Sequence, residues 1–427
     1  MSTAIAGHRQ LRLGIGPFAG VAPTLLLAGA WFAAAVVWGL TGAMPGGRWA
    51  VVHLFTLGVL SNLLVGFTQH FARSVTRQRV VLGTGPLIVL NVGAVGTVAG
   101  MLAGLRPLLA VGALAVAGVV ALGRVRLAGM RAAAPDARFV EVVRTYERAH
   151  EAFLVAAALG AAMGVGAVAP AWYAGARLAH LHLNVLGWAG LVVLSTVVFF
   201  GPAMLRVRLP HGAEGGALRA LRLAAAGLAT AAVVLAVPTD AALLQIASGA
   251  AIAVYAGAVG VVAVLVTRLS RSAHPSAVRL LLPAALWWFV AAVLADAAVL
   301  AANAQRLLPA IGLALGLGVF LQLILAVTLY LLPSLRGRDF AARDALIART
   351  ERAARLRAVV FNLAVAAVVG VAALPVGAPG LAVMAWAGLL GVVSSTVALA
   401  LAPVRPDPTV ARSSVARRYR SSQGGDS

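Results

Sequence analysis

HLFTLGVLSNLLVGFTQHF, residues 53–71, has two counterparts further along the chain: HLNVLGWAGLVVLSTVVFF at 182–200 and LALGLGVFLQLILAVTLYL at 313–331. The stretches begin at His53, His182 and Leu313, 129 and 131 residues apart. Laid over one another, Gly58, Gly187 and Gly318 coincide. Gly66, Ser195 and Ala326 coincide as small residues, and Pro202 and Pro333 follow just beyond the last two. Each stretch has the length and apolarity of a helix that crosses roughly 30 Å of hydrocarbon. The short alternating runs of a membrane barrel are absent. The near-constant spacing predicts three pseudo-repeats of four helices, with each quoted stretch as the second helix of its unit.

Working outward, similar apolar runs fill the chain at 18–40, 50–71, 81–103, 107–123, 152–172, 178–202, 217–238, 241–267, 277–302, 307–333, 356–375 and 380–402. The third, fourth and seventh are the least distinct. The expectation is an all-α transmembrane bundle of about twelve helices over residues 18–402. A short cytoplasmic segment, 1–17, precedes it, and a flexible basic tail, 403–427, follows. The first run follows Arg9 and Arg12 and reads as a retained span rather than a cleaved leader. A composition 62% hydrophobic, with mean hydropathy +0.97, exceeds what a soluble core needs. The 46 glycines let helices approach closely in lipid.

All 34 basic residues are arginine, against 12 acidic ones, giving a net charge of +22. Such a charge can signal nucleic acid, but these arginines cluster at alternate ends of the apolar runs, as membrane topology requires. With the N-terminus inside, the outer connections carry only Arg48, Arg106, Arg177 and Arg306. The reading is a multi-pass plasma-membrane protein with both termini cytoplasmic. Its partner is the lipid bilayer, not nucleic acid. The charged stretches 124–151 and 336–355 read as surface helices or as extensions of spans into the cytoplasm.

The absence of cysteine excludes disulfides, thiolate metal sites and CxxCH haem attachment. No P-loop, HExxH, GxSxG or dinucleotide fingerprint occurs. His211 and His274 fall in cytoplasmic connections and read as solvated. Polar side chains inside hydrocarbon need partners, and they mark the candidates. His53, His180 and His182 lie near the outer ends of their spans, and neutral imidazole suits copper or haem iron. His180 and His182 are two positions apart, so a regular helix points them about 200° apart; one ion need not hold both. His180 shares a face with Asn184. Towards the inner side, His70 lies beside Gln69, and His150 and Glu151 start the fifth span and could meet them in a polar cluster. Asp296 and Asn303 lie near the outer end of the ninth span, with Arg306 beyond as a possible partner for Asp296. Asn62, Asn91, Gln245, Gln322 and Asn362 complete the intramembrane polar set and suit helix-to-helix bonds.

HLFTLGVLSNLLVGFTQHF at 53–71, RTYERAHEAFLVAA at 144–157, HLHLNVLGWAGLVVLSTVVFFGPAMLR at 180–206 and, more weakly, FLQLILAVTLYLLP at 320–333 carry a family resemblance. Over residues 15–402 the chain resembles the haem-copper oxidase subunit I-like superfamily. It is closer to actinobacterial membrane domains that are sometimes fused to copper nitrite reductase or multicopper-oxidase-like modules. The resemblance implies a haem-ligand role for His53 and a copper-ligand role for His180 or His182. It fails elsewhere: the paired histidines of the seventh span, the two of the tenth and the tyrosine one turn after the sixth-span histidine are missing. It therefore implies an oxidase-like scaffold without ordinary oxygen- or nitric-oxide-reducing chemistry. Such a protein would bind haem or copper near the outer side for electron transfer or metal handling, beside a respiratory or copper-protein partner. The alternatives are a transporter or permease and a cofactor-free structural or assembly subunit.

Overall fold

Lipid offers the backbone no hydrogen-bond partner, so a chain this apolar must satisfy its amides within helices or closed barrels. The computed structural model describes residues 22–41, 46–78, 83–237, 241–336, 340–374 and 378–402. The expected N-terminal segment 1–17 and tail 403–427 lie outside them. The described residues are helical throughout, with no strand. We number the helices α1 (Ala22–Thr41), α2 (Gly47–His53, Leu54–Leu60 and Ser61–Thr76, end to end), α3 (Thr84–Leu102), α4 (Arg106–Ala132) and α5 (Val140–Gly164). There follow α6 (Pro170–Met204), α7 (Glu214–Ala236), α8 (Ala242–Ser272) and α9 (Ala277–Ala301). The last are α10 (Leu308–Leu313, Ala314–Leu321 and Gln322–Arg336), α11 (Phe340–Glu351), α12 (Ala354–Ala373) and α13 (Pro379–Leu401).

Among the described residues, eleven helices are long and apolar enough to cross a membrane; α5 and α11 are not among them. The rim of the bundle is apolar as well as its centre. Leu26, Leu243 and Leu114 are 76%, 75% and 72% exposed, a surface that suits hydrocarbon and not water. The chain is a multi-pass integral membrane protein.

Helix α5 corrects the sequence reading. The expected span 152–172 ends eight residues early, at Gly164. Residues 165–169 turn, with Gly166 at φ +76°, and Pro170 opens α6. The helix starts at Val140, so its charged half is continuous with the apolar run, one of the two readings expected of the 124–151 stretch. Those charges are neutralised in space. Buried Glu141 accepts from Arg144 (3.1 Å), Arg148 (3.0 Å) and, across to α7, Arg222 (3.1 Å). Glu147 takes Arg131 of α4 at 2.5 Å. Helix α5 lies antiparallel to α4 along its length: Arg131 meets Glu147 at one end, and a Cβ on Gly164 would touch Leu109 at the other. Helix α4 runs on past 123 to Ala132, the expected extension of its span. The 336–355 stretch contains the separate helix α11.

Close packing follows the small residues. At the α3–α4 crossing, a Cβ on Gly112 would lie 2.4 Å from the Thr97 amide nitrogen, so the two backbones are in contact. The three aligned glycines each receive a neighbour from the preceding long helix. Gly58 lies under the Trp31 ring of α1, Gly187 under Ala152 of α5, and Gly318 under the Trp288 ring of α9. Both indoles donate to an asparagine of a later helix: Trp31 Nε1 of α1 to Asn91 of α3 at 2.6 Å, and Trp288 Nε1 of α9 to Asn362 of α12 at 2.7 Å.

Candidate functional site: an imidazole pair and a buried histidine–aspartate bond

Helices α2, α6 and α10 each contain a π-helical segment, Leu54–Leu60, Leu183–Gly190 and Ala314–Leu321. A π turn adds a residue to the helical repeat, widens it and loosens its carbonyls, and such turns are common at functional sites. Some of these carbonyls take side-chain donors. Gly58 O accepts from Asn62 at 2.7 Å, and Leu186 O from Tyr255 of α8 at 2.9 Å. Histidines stand at the entry of the first two segments.

His53 ends the α-helical part of α2, stacked on Trp49 with centroids 4.1 Å apart. Its Nδ1 lies 2.8 Å from Trp49 O. A carbonyl only accepts, so Nδ1 carries the proton and neutral His53 keeps a lone pair on Nε2. His180 of α6 is held likewise, its Nδ1 donating to Ala156 O of α5 at 2.7 Å. Gly160 makes room for that ring, since a Cβ there would lie 2.7 Å from His180 Cε1. The two imidazoles come together with centroids 6.4 Å apart and planes within 17°. Asn184, one turn on, donates to His180 O at 2.8 Å, with its amide nitrogen 3.4 Å from His180 Nε2.

His182 leaves this pair, as its opposite place on the helix requires. It is buried, its Nδ1 donates to Leu178 O at 2.8 Å, and its Nε2 lies 2.9 Å from Oδ2 of buried Asp296 on α9. A proton must lie between Nε2 and Oδ2, either as imidazolium facing carboxylate or as imidazole facing carboxylic acid. In both forms the pair is neutral overall, which fits its depth in the bundle. Asp296 therefore meets His182 rather than Arg306. Asn303 stands apart in the turn after α9, at φ +51°, accepting from Gln305 at 3.3 Å.

On the other side of the bundle, the expected cluster around His70 divides. Glu151 pairs with Arg124 at 2.8 Å on the surface, and His70 packs edge-on against Phe71. Gln69 and His150 do converge, at Gly123 of α4. Gln69 donates to Gly123 O at 3.0 Å, and a Cβ on Gly123 would lie 3.1 Å from His150 Nε2. His150 is fully buried, gives Nδ1 to Tyr146 O at 2.7 Å and packs edge-on to Trp188 at 4.6 Å. His150 Nε2, Gln69 Oε1 and Trp188 Nε1 have no protein partner. Sequence reasoning missed Trp188. Its position in the 182–200 stretch was visible, but nothing in that stretch pairs it with His150.

Among the described residues, no group of three or more His, Asp or Glu side chains could hold a metal ion. Of the expected trio, His53 and His180 face one another, while His182 is bonded to Asp296. No family model matches the chain, and no curated protein matches it.

Proposed function

We propose that the chain is a non-oxidase membrane protein with an oxidase-like scaffold of twelve spans in three four-helix units. In this reading His53 and His180 together bind copper or haem iron near the outer side. The observation that carries the proposal is the pair of near-parallel imidazoles 6.4 Å apart. Two rings sharing one ion through nitrogen bonds of about 2 Å have centroids roughly 6 Å apart. Backbone carbonyls fix both tautomers through Nδ1, the outer-shell arrangement that orients ligating histidines. Two nitrogen donors fall short of a closed zinc site, whereas monovalent copper or haem iron would accept such a pair. Bound there, either would supply one-electron transfer.

The repeat supports the scaffold. The π segments begin at Leu54, Leu183 and Ala314, 129 and 131 residues apart, the spacing of the aligned stretches. The Trp31–Gly58–Asn91 and Trp288–Gly318–Asn362 packings supply the same contacts in the first and third units. In this reading α5, antiparallel to α4, is the twelfth span. The proposal takes the arginine-rich end as cytoplasmic, with both histidines of the pair towards the outer face.

Metal analysis and absorption spectroscopy of the purified protein, in oxidised and reduced preparations, test the reading. Copper or a haem spectrum should be present in the wild type and in Asp296→Asn. It should be lost in His53→Ala and His180→Ala, with membrane insertion intact. Protein with neither metal nor haem would sink the proposal. A second reading, a proton-coupled transporter, draws on the buried His182–Asp296 bond. It requires substrate-dependent flux in proteoliposomes that falls in Asp296→Asn.

A further inference from the structure

Several arginines at the arginine-rich end are engaged. Arg124, Arg131, Arg138, Arg144, Arg148 and Arg222 all bond carboxylates. Arg279 and Arg355 do not. Among the described residues neither guanidinium has a hydrogen-bond or ion-pair partner, and both line a cleft of about 590 Å³. That size lies in the range of small-ligand sites. Pro275, Leu280, Ala353 and Ala354 give the cleft an apolar wall. Two spans start at its edge: α9 at Ala277, capped by Ser276, and α12 at Ala354. The first-turn amides of both spans add positive potential.

One carboxylate shares the cleft, and its bonds decide the sign of the site. Glu351 accepts from the Ala277 amide at 2.5 Å and so occupies the α9 N-terminus. The charges of Arg357 and Arg206 also act on it. With Arg279 and Arg355 in the lining and Arg357 and Arg206 acting on Glu351, positive charges outnumber the one carboxylate in and around the cleft. Arg279 and Arg355 keep their donor forks free. A guanidinium fork matches two oxygens of a phosphate. An apolar wall beneath a cationic rim, at the level where two spans leave the membrane, matches the phosphate and glycerol region of an anionic lipid.

We propose that this cleft binds a phosphate group through Arg279 and Arg355. The phosphate is that of an anionic lipid headgroup or a free phosphate. The test uses the full-length protein in nanodiscs and compares wild type with Arg279→Gln/Arg355→Gln. A charge-matched control, Arg268→Gln/Arg271→Gln, alters the exposed arginines at the end of α8. Native mass spectrometry of protein from discs of mixed phosphatidylglycerol and phosphatidylcholine counts retained lipids. Calorimetry with inorganic phosphate in purely zwitterionic discs measures free anion. Since Arg268, Arg271 and Arg355 are exposed and half-buried Arg279 makes no side-chain bond, the unfolding curves of the variants should superimpose on the wild type.

If the source is lipid, the cleft variant should retain phosphatidylglycerol roughly tenfold less well, and the control should match the wild type. If the source is free phosphate, a calorimetric signal should vanish in the cleft variant alone. Equal loss in the control, or no dependence of either ligand on the Arg279–Arg355 pair, would overturn the proposal.

Discussion

Replacing His182 with alanine should be among the most destabilising single changes in the bundle. The side chains of His182 and Asp296 are 1% and 6% exposed and 2.9 Å apart. Removing the imidazole leaves a carboxyl group buried without its proton-sharing partner, a change that costs about 3–5 kcal/mol in other proteins. Asp296→Ala strips a neutral imidazole of one bond, about 1–3 kcal/mol. Asp296→Asn keeps a donor opposite Nε2 and should cost about 1 kcal/mol. The predicted order is therefore His182→Ala, then Asp296→Ala, then Asp296→Asn. Because the two groups act as a unit, His182→Ala/Asp296→Ala should cost no more than His182→Ala alone, with a coupling of about 1–3 kcal/mol. Reversible unfolding in mixed detergent micelles measures all four variants. Strict additivity, or a loss under about 1 kcal/mol for His182→Ala, would refute the buried bond.

Other outcomes follow from the same geometry. Gly58→Leu should block insertion of the Trp31 ring and lower yield and stability, whereas Gly29→Leu, at a position with open space, should not; thermal unfolding in detergent compares them. An ordered water should bridge His150 Nε2, Gln69 Oε1 and Trp188 Nε1, since two acceptors and one donor are what a single water satisfies; a map that resolves water and shows an empty site there counts against it. Burial holds the Glu351 carboxyl above its ordinary value of 4.5 despite the Ala277 amide and the charges of Arg357 and Arg206. Its contribution to stability is thus complete below pH 4.5 and declines as pH rises through the higher folded value. Glu351→Gln should remove that part of the slope in unfolding measured against pH.

Hydropathy made most of the spans legible, because a run of about twenty apolar residues has few other uses. It misplaced the end of α5, and it could not show what neutralises the charged half of that helix, which is remote in sequence: Arg222 lies 81 positions from Glu141. The same limit governs the histidines. Their depth and the divergence of His180 from His182 follow from local spacing. The choice of Asp296, 114 residues from His182, depends on how α6 and α9 pack. The aligned glycines were visible as a pattern, but the indoles they accommodate were not, since Trp31 and Trp288 lie outside the repeated stretches.

The π segments have a consequence for how the chain tolerates change in length. A π turn carries one residue more than the α-helix around it, so deleting one residue there restores an ordinary helix without breaking it. The wide turn takes up its extra residue locally, so the helix beyond would keep nearly its present phase. In α6 such a deletion within Leu183–Gly190 would leave His180 and His182 on one side, and buried Ser195 and Val198 on the other, on their present faces. A deletion in the regular helix that follows, Leu191–Met204, has no such slack and would rotate everything beyond it by about 100°. The π segment is thus a reserve of length within one span. Single-residue deletions there should be tolerated where the same deletion a turn later is not.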